Sequence, residues 1–319
     1  MFLKRVVVAG LLWGCLFSAA RPSPCVLALN SQLPLRSTTG HKLVDALIDE
    51  QPATLIFDTG AYSSLLTTQA VSRLHLHADQ DFSERFRGPE DPWTVSGIGG
   101  ARLATWVMAK HVQVGALSGR HFHFLTIDGK MHDGLLGNDI LKGYDVDLDF
   151  PGKEIRLYKT YGDCAAPKVF LTPPLYVVPL ILANDTSVMS PLVKVTVDGH
   201  DLVALIDTGA SSSALYQRGA AKIGLAPKDL AADRQGTTTG VGPQEVPVSS
   251  HIFASVTVGD LTLRHMPIDI MQADDEPPVD MLLGADFQQR IHLWISYSSQ
   301  KLVMQFPPSA SPAAPGGAP

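Results

Sequence analysis

The stretch TLIFDTGA occupies residues 54–61, and a close copy, VALIDTGA, occupies residues 203–210. Each copy is an apolar run that predicts a buried β-strand, and each run stops abruptly at Asp-Thr-Gly. The aspartates are Asp58 and Asp207, which are 149 residues apart. The chain therefore repeats a strand that ends on a carboxylate, and the repeat raises the question of how far it extends.

The sequence around the two aspartates repeats in the same order. The offset of 149 holds without a gap from Thr54 to Leu76. Three further landmarks recur, at offsets of 145, 143 and 147 residues: Leu-Pro-Leu around Pro34 with Val-Pro-Leu around Pro179, GIGG at 97–100 with GVGP at 240–243, and the Leu-Leu-Gly ending at Gly137 with the one ending at Gly284. One order with nearly constant spacing indicates a duplicated lobe.

The duplication predicts five segments in the 319-residue chain. Lys4 and Arg5 precede an apolar stretch and small residues, the layout of a secretory signal peptide, which we place at residues 1–28. We therefore expect export to the periplasm or secretion, and a lipoprotein anchor at Cys15 is the alternative. The apolar stretch is too short for a stable membrane span. The other segments are an N-terminal lobe (31–158), a proline-rich linker (159–178), a C-terminal lobe (179–306) and a disordered tail (307–319).

Composition excludes some partners. A net charge of -6 and a pI near 6.0 argue against nucleic acid, which normally binds a basic surface. In an oxidising compartment Cys25 and Cys164 could form a disulfide, and the alternative is two unpaired thiols.

Each lobe has a mainly β pattern. The segments KLVDALI (42–48) and ATLIFDTG (53–60) predict a hairpin, β-like segments fill residues 101–127, and a final hairpin turns at residues 151–153. A short amphipathic helix is predicted after the first aspartate, because apolar residues recur at helical spacing: Leu66, Ala70, Val71 and Leu74. Asp139 and Asp286 each follow a glycine by two residues, and we interpret both as helix N-caps.

The two strand-end aspartates predict a shared chemical site. A carboxylate at the end of an apolar strand is costly to bury unless other groups satisfy it. If the lobes pack about a pseudo-two-fold axis, Asp58 faces Asp207, and two carboxylates in contact hold one proton between them. The residues that follow suit such a site, since glycine admits backbone N–H groups, threonine can bond the opposite loop and alanine leaves room: Thr59, Gly60, Ala61, Thr208, Gly209 and Ala210.

These motifs resemble those of the retropepsin-like aspartic proteases, here as a tandem single-chain version of the kind that bacteria export. The resemblance covers residues 31–306 and rests on four motifs that each occur twice in one order. It implies a mainly β fold of two homologous retropepsin/pepsin-like closed-barrel lobes, related by pseudo-two-fold symmetry, with the active site at the lobe interface. It also implies that Asp58 and Asp207 are the paired catalytic aspartates, and that each Leu-Leu-Gly packs beneath a catalytic loop.

The glycine-rich tips resemble the flaps that close over the substrate in this family. The matching residues are Gly97, Ile98, Gly99 and Gly100 in the first lobe and Gly240, Val241 and Gly242 in the second. Pro243 departs from the GIGG pattern, which leaves the second flap open to question. Plain hairpin turns are the alternative for both tips.

The implied activity is that of an aspartic endopeptidase, in which a water activated between two aspartates hydrolyses a peptide bond. Its substrate would be a peptide or an unfolded protein, held in extended form. No metal or organic cofactor is expected, since the paired histidines His75 and His77, and His121 and His123, lack a metal-binding motif. We expect a monomer. A peptide-binding module without catalysis, and an enzyme active only as a homodimer, remain as alternatives.

Overall fold

The computed structural model describes residues 25–36, 40–85, 93–162, 174–181, 190–273 and 279–306. Most of the predicted signal peptide, residues 163–173 of the predicted linker and the predicted tail lie outside these residues, as do Cys15 and Cys164. Within the described ranges, no helix has both the length and the apolar character needed to cross a membrane.

The N-terminal half is built from short strands with three helices of four to six residues in the described part. Its elements are β1 (Val26–Pro34), β2 (Leu43–Ile48), β3 (Gln51–Phe57), β4 (Leu65–Thr67), α1 (Thr68–Arg73), α2 (Gln80–Arg85), β5 (Thr94–Gly97), β6 (Gly100–Val114), β7 (Leu117–Ile127), β8 (Gly134–Leu136), α3 (Asn138–Leu141), β9 (Asp145–Asp149) and β10 (Glu154–Tyr161).

The C-terminal half repeats this order. Its elements are β11 (Tyr176–Pro179), β12 (Leu192–Val197), β13 (His200–Ile206), β14 (Ala214–Leu215), α4 (Gln217–Lys222), a 3₁₀ helix (Pro227–Leu230), β15 (Arg234–Thr238), β16 (Val246–Val258), β17 (Leu261–Met271), β18 (Met281–Leu283), α5 (Ala285–Gln288), β19 (His292–Ser296) and β20 (Lys301–Gln305).

Each half forms a closed barrel. In the first, the strands lie in the order β2-β3-β8-β4-β7-β6-β5, and a further pairing of β2 with β6 closes the sheet. In the second, the order is β12-β13-β18-β14-β17-β16-β15, closed by β12 with β16. The strand orders match position for position, which confirms the predicted mainly β fold of two homologous closed-barrel lobes.

The hairpin of β2 and β3 shows how the sequence builds a barrel. Asp49 and Glu50 form the turn with positive φ angles of 47° and 63°, and two such residues make the turn whose twist matches the flanking strands. Alternate residues of β2 are buried, as the period of a half-buried strand requires. Strand β3 then runs into the core, where Leu55 and Phe57 are fully buried, and it ends at Asp58.

The predicted helix after the first aspartate is divided between two elements. Leu66 belongs to β4, which pairs with β7 and β8, and the helix α1 starts only at Thr68. The hydroxyl of Thr67 caps this helix by accepting from the amide of Ala70 at 3.1 Å. The apolar spacing that predicted one helix therefore combines a strand residue with a single short helix.

A third sheet joins the halves, and we call it the interlobe sheet. Its order is β1-β10-β9-β19-β20-β11, and all of its pairings are antiparallel. The central pair is β9 with β19, one strand from each half, with Val146 opposite Ile295. Both of these residues are fully buried. Each half thus contributes three strands to a layer that ties the barrels together.

Two strands cross the predicted segment bounds. Strand β1 begins at Val26, inside the stretch assigned to the signal peptide, and β10 runs to Tyr161, inside the stretch assigned to the linker. Cys25, directly before β1, is disulfide-bonded, and its partner cysteine lies outside the described residues.

Candidate active site at the junction of the lobes

The ends of β3 and β13 place the two aspartates. The amide of Asp58 donates to the carbonyl oxygen of Leu136 at 3.0 Å, and the amide of Asp207 donates to that of Leu283 at 3.1 Å. Those leucines end β8 and β18, each parallel to the aspartate-bearing strand. Each Leu-Leu-Gly segment therefore holds one aspartate from beneath, as the resemblance implied.

Each carboxylate is held by the loop that follows it. In both copies one carboxylate oxygen, Oδ1, accepts hydrogen bonds from the amides two and three residues further along. The distances are 2.8 and 2.9 Å at Asp58, and 2.8 and 3.0 Å at Asp207. These donors are Gly60 and Ala61 in the first loop, and Gly209 and Ala210 in the second. They fix the orientation of the carboxylates and stabilise their charged form.

Each carboxyl group lies against the loop of the other aspartate, and the two groups interact electrostatically. Burial raises the pKa of Asp58 well above its ordinary value, and the charge of Asp207 raises it further. Burial also raises the pKa of Asp207, against the loop amides of Ala210 and Gly209, which lower it. Both side chains keep part of their surface open to solvent. The pair can therefore hold one proton while it remains accessible to a reactant.

The glycines of the two loops make this approach possible. A Cβ on Gly60 would lie 2.5 Å from Cγ of Asp207, and one on Gly209 would lie 2.4 Å from Cγ of Asp58. Real Cβ atoms essentially never come that close to another heavy atom. Each glycine therefore leaves the space that the opposite carboxyl group occupies.

Two threonines lock the loops together. The hydroxyl of Thr59 donates to the carbonyl oxygen of Ile206 at 2.6 Å, and that of Thr208 donates to the carbonyl oxygen of Phe57 at 2.6 Å. Each hydroxyl also accepts from the other threonine's amide, at 2.9 and 3.1 Å. Both threonines are fully buried. Four interlobe hydrogen bonds thus stand directly beneath the carboxyl pair.

Replacing Thr59 by valine should destabilise the protein by about 2–4 kcal/mol. The valine keeps the shape of the side chain but leaves two buried backbone groups, the carbonyl of Ile206 and the amide of Thr208, without this partner. Urea unfolding measures the loss. Thr105→Val, at an exposed position of β6, is the matched control and should change stability by less than about 0.5 kcal/mol. Equal stability of the two variants would show that the lock contributes nothing.

The helix N-cap interpretation of Asp139 and Asp286 is wrong. The N-cap residues of α3 and α5 are Gly137 and Gly284, without a side-chain cap. Asp139 instead accepts from the amide of Ser64 at 2.9 Å and from its hydroxyl at 2.7 Å. Asp286 accepts from the amide and hydroxyl of Ser213, both at 2.7 Å. Burial raises the pKa of both carboxyl groups. These aspartates hold the far ends of the two aspartate loops.

The structure adds support that differs between the lobes. Nδ2 of Asn138 donates to the carbonyl oxygen of Thr59 at 2.7 Å, and the hydroxyl of Tyr297 donates to Oδ1 of Asn138 at 2.8 Å. In the second lobe, Nε2 of Gln288 donates to the carbonyl oxygen of Asp207 at 2.9 Å. Sequence reasoning missed these residues, although Asn138 directly follows a Leu-Leu-Gly landmark, which is a signal that could have found it.

The two glycine-rich tips meet each other. We call residues 97–100 the first tip and residues 240–243 the second tip. The amide of Gly242 donates to the carbonyl oxygen of Ile98 at 2.9 Å, and the amide of Gln244 donates to that of Gly99 at 3.1 Å. The first tip is a tight hairpin turn between β5 and β6, whereas the second is a longer loop between β15 and β16. The second tip, whose sequence differs from GIGG at Pro243, therefore has a different backbone conformation from the first, but a glycine-rich tip is present in both lobes.

Each tip packs on the opposite lobe. Ile98 of the first tip lies against the apolar cluster that includes Ala210 and Leu282 of the second lobe. Val241 of the second tip lies against the cluster that includes Ala61 and Leu135 of the first lobe. Because Ala61 and Ala210 belong to the aspartate loops, each tip packs on the same apolar cluster as the aspartate loop of the opposite lobe.

Arg102 links the tips, and sequence reasoning missed it. It lies on β6, and its guanidinium donates to the carbonyl oxygens of Val241 at 2.7 Å and Gly242 at 3.3 Å. An arginine offers several donors in one rigid plane, which suits two adjacent carbonyls. The first lobe thus holds the second tip through the side chain of Arg102 on β6, in addition to the backbone hydrogen bonds between the tips.

Replacing Arg102 by methionine should raise KM for a peptide substrate about 10-fold and leave kcat within a few-fold. Methionine keeps the apolar stem but loses two hydrogen bonds that hold the tips closed. Steady-state kinetics measure the change. Arg120→Met, at an exposed position of β7, is the control. A variant that loses kcat with KM unchanged would contradict a role in closure.

Two β-barrel lobes that meet at a pair of facing aspartates define the class of bilobed aspartic proteases. Among the described residues, no group of three or more histidine, cysteine, aspartate or glutamate side chains is placed to hold a metal ion. The site therefore consists of the carboxyl pair, its loops and the two tips.

Comparison with known proteins places the chain in a family. The sequence model of the family described as "Aspartyl protease" matches residues 44–140 and again residues 193–287. The chain belongs to this family, with one copy in each lobe, which confirms the resemblance to tandem retropepsin-like proteases. No curated protein matches the sequence. The crystal structure of an aspartic proteinase from Irpex lacteus is similar in fold, with a TM-score of 0.52 at 12% identity over 88% of this chain and 97% of that one.

Proposed function

We propose that the protein is an aspartic endopeptidase whose catalytic residues are Asp58 and Asp207. The observation that carries this proposal is the close approach of the two aspartate loops, which brings the two carboxyl groups together at the lobe junction. Raised pKa values in such a pair allow one group to be ionised while the other is protonated. A general base and a general acid then stand in one site at the same pH.

The mechanism follows from this shared proton. The ionised carboxylate takes a proton from a water molecule, and the resulting hydroxide attacks the peptide carbonyl carbon. The protonated carboxyl donates to the carbonyl oxygen, which becomes the hydroxyl of a tetrahedral intermediate. When the C–N bond breaks, the nitrogen takes the proton that the base acquired, one hydroxyl of the intermediate returns its proton to the other carboxylate, and an acid and an amine leave. The intermediate is not covalently bound to the protein.

The tips supply the second part of the mechanism. A peptide between the tips and the carboxyl pair would lie in extended form beside backbone amides and carbonyls, as an added strand does. Gly97 and Gly240 leave room for the close approach of the two tips, since a Cβ on Gly240 would lie 2.7 Å from Cβ of Ile98 and one on Gly97 would lie 3.3 Å from Cβ of Val241. Closure of the tips excludes water other than the reactant. The substrate class is therefore peptides and unfolded proteins.

The test is cleavage of a denatured protein by the purified full chain at mildly acidic pH. Mass spectrometry of the new termini shows whether peptide bonds are hydrolysed. A peptide in which a hydroxyethylene group replaces the cleaved amide should inhibit at least about 10²-fold more tightly than the matched amide peptide binds, because it resembles the tetrahedral intermediate. The absence of new termini would overturn the proposal.

Two other outcomes are distinguishable in the same assay. A peptide-binding module would bind the hydroxyethylene peptide and the amide peptide with similar affinity and produce no termini. An enzyme active only as a homodimer would show specific activity that rises with protein concentration. We expect constant specific activity, since one chain supplies both aspartates and both tips.

We also propose that the protein acts outside the cytosol. The signal-like sequence at residues 1–28 supports this location, and so does the disulfide at Cys25, since disulfides persist in oxidising compartments. Comparison of full-length protein in cell fractions tests the proposal, and retention of the whole sequence in the cytosol would contradict it.

A further inference from the structure

The two aspartate loops are supported by different side chains. In the first loop, the amide N–H of Gly60 donates to Asp58, and the carbonyl of the same peptide group, that of Thr59, accepts from Asn138. In the second loop, the amide N–H of Ala210 donates to Asp207, and the carbonyl of the same peptide group, that of Gly209, contacts Nδ1 of His41 at 2.8 Å.

When the carbonyl oxygen of a peptide group accepts a hydrogen bond, the N–H of the same peptide group becomes a stronger hydrogen-bond donor. Hydrogen bonds in a chain polarise one another, so each supporting side chain acts on a carboxylate that it does not touch. A carbonyl oxygen only accepts hydrogen bonds, which means that Nδ1 of His41 carries the hydrogen. Asn138 is neutral at every pH, whereas histidine changes its charge between about pH 5 and 8.

His41 also breaks the symmetry of the two lobes. Phe57 and Ile206 occupy equivalent positions, each directly before the aspartate of its lobe. The amide of Phe57 donates to the carbonyl oxygen of Lys42, the residue after His41, and the amide of Ile206 donates to the carbonyl oxygen of Pro191. Ser190 is therefore the counterpart of His41, and serine carries no charge. The N-terminal lobe thus brings a titratable base to the aspartate of the other lobe, and its counterpart does not return a charge to Asp58.

We propose that His41 is a positioning residue that makes the carboxyl pair unequal, so that Asp207 is the ionised general base and Asp58 holds the shared proton. This inference rests on the proposed endopeptidase function of the same site. It assigns each aspartate to one step: Asp207 takes the proton of the water, and Asp58 donates to the oxygen of the peptide carbonyl.

The electrostatics of the pair agree with this assignment. Burial and the charge of Asp207 raise the pKa of Asp58, and at Asp207 the two loop amides lower the pKa against the burial that raises it. The positive charge of His41 lowers the pKa of Asp207 further. Removing that charge raises the pKa of Asp207, and the base is then ionised only at higher pH.

Other charged groups near the pair are already engaged. Asp139 and Asp286 stand behind the loops, bonded to Ser64 and Ser213. The ammonium of Lys42 is buried over the ring of Phe150, and burial lowers its pKa to about 8. His41 itself is exposed to solvent.

The first experiment compares the pH dependence of kcat/KM for His41→Leu, His41→Asn and His41→Lys with that of the wild type. Leucine removes the donor and the charge. We expect the acid limb of the pH profile, where kcat/KM rises as the general base ionises, to move about 0.5 to 1 pH unit toward neutral. Asparagine keeps an N–H donor without the charge and should move the limb less. Lysine keeps a charge and should leave the limb at or below its wild-type position.

Matched measurements separate this effect from a structural one. Ser190→Ala changes the counterpart position and should not move the limb, and urea unfolding reports whether each variant is folded. A general loss of packing would lower kcat/KM at every pH and move no limb. An unmoved limb in His41→Leu, or equal shifts in all three variants, would overturn the inference.

The second experiment identifies the ionised aspartate without peptide cleavage. A peptide-like epoxide is opened by a carboxylate: a C–O ester bond forms, the epoxide C–O bond breaks, and its oxygen takes the proton of the partner carboxyl. Mass spectrometry should locate the ester on Asp207 in the wild type and on both aspartates in His41→Leu. An ester on Asp58 in the wild type would overturn the assignment. A wild type that cleaves no peptide would instead count against the proposed function, and the ester would still report on His41.

Discussion

Asp58→Asn and Asp207→Asn should each lower kcat/KM for cleavage of an unfolded protein by about 10³-fold or more. Asparagine keeps the shape of the side chain and can still accept from the loop amides. It cannot serve as a base, nor can it pass a proton back and forth with its partner. The loss should appear in kcat, because the proton is needed only as the reaction proceeds.

The fold of these variants should survive the change. Both aspartates have raised pKa values in the folded protein. Their contribution to the free energy of unfolding is therefore complete at a pH below the pKa that they have in the unfolded chain, and it is lost as the pH rises through the pKa that they have in the folded protein. A neutral asparagine has no such dependence, and we expect urea unfolding near neutral pH to show equal or greater stability. Asp260→Asn, at an exposed turn, is the control for activity. More than a tenth of wild-type activity in either site variant would refute the catalytic assignment.

Gly60→Ala and Gly209→Ala should lower kcat/KM by about 10²-fold or more and stability by about 1–3 kcal/mol. The new methyl groups would lie 2.5 and 2.4 Å from the carboxyl carbon of the opposite aspartate. Neither aspartate can move aside easily, since each is held by two loop amides. The loops must therefore separate, which strains the packing and breaks the contact between the carboxyls.

Gly119→Ala is the matched control for the glycine variants. Gly119 lies on β7, and a Cβ there would meet no atom within 4 Å. Activity and urea stability of this variant should stay close to the wild type. If Gly209→Ala retained wild-type kinetics, the close approach of the loops would not be needed for function.

The fold was largely predictable because its signals are local. Alternating apolar residues predict strands such as β2, and the repeated landmarks predict that one lobe occurs twice. The meeting of Asp58 and Asp207 also followed from the repeat, since equivalent positions in symmetrically packed units lie near the axis. The interlobe sheet was not predicted, because β9 and β19 are local strands whose pairing spans the two halves.

The supporting residues of the site were harder to predict. Asp139 stands at the start of a helix, where a cap is the local expectation, but its partner Ser64 lies 75 residues earlier in the chain. The contact of His41 with Gly209 spans 168 residues, and neither the repeat nor a motif singles out that histidine. Arg102 likewise acts on carbonyls more than a hundred residues away. The internal repeat cannot predict a contact made by a residue that occurs in only one lobe, as His41 and Arg102 do.

The central β9 and β19 pair of the interlobe sheet bears on how such a protein could arise. If the halves were made as separate polypeptides, each would expose an unpaired strand edge, and the natural partner for that edge is a strand of the same kind. An ancestral gene of half the length would then have produced a homodimer with one aspartate per subunit. Fusion of two such genes leaves each copy free to diverge, and a single chain can acquire unequal acid and base roles that identical subunits could not encode.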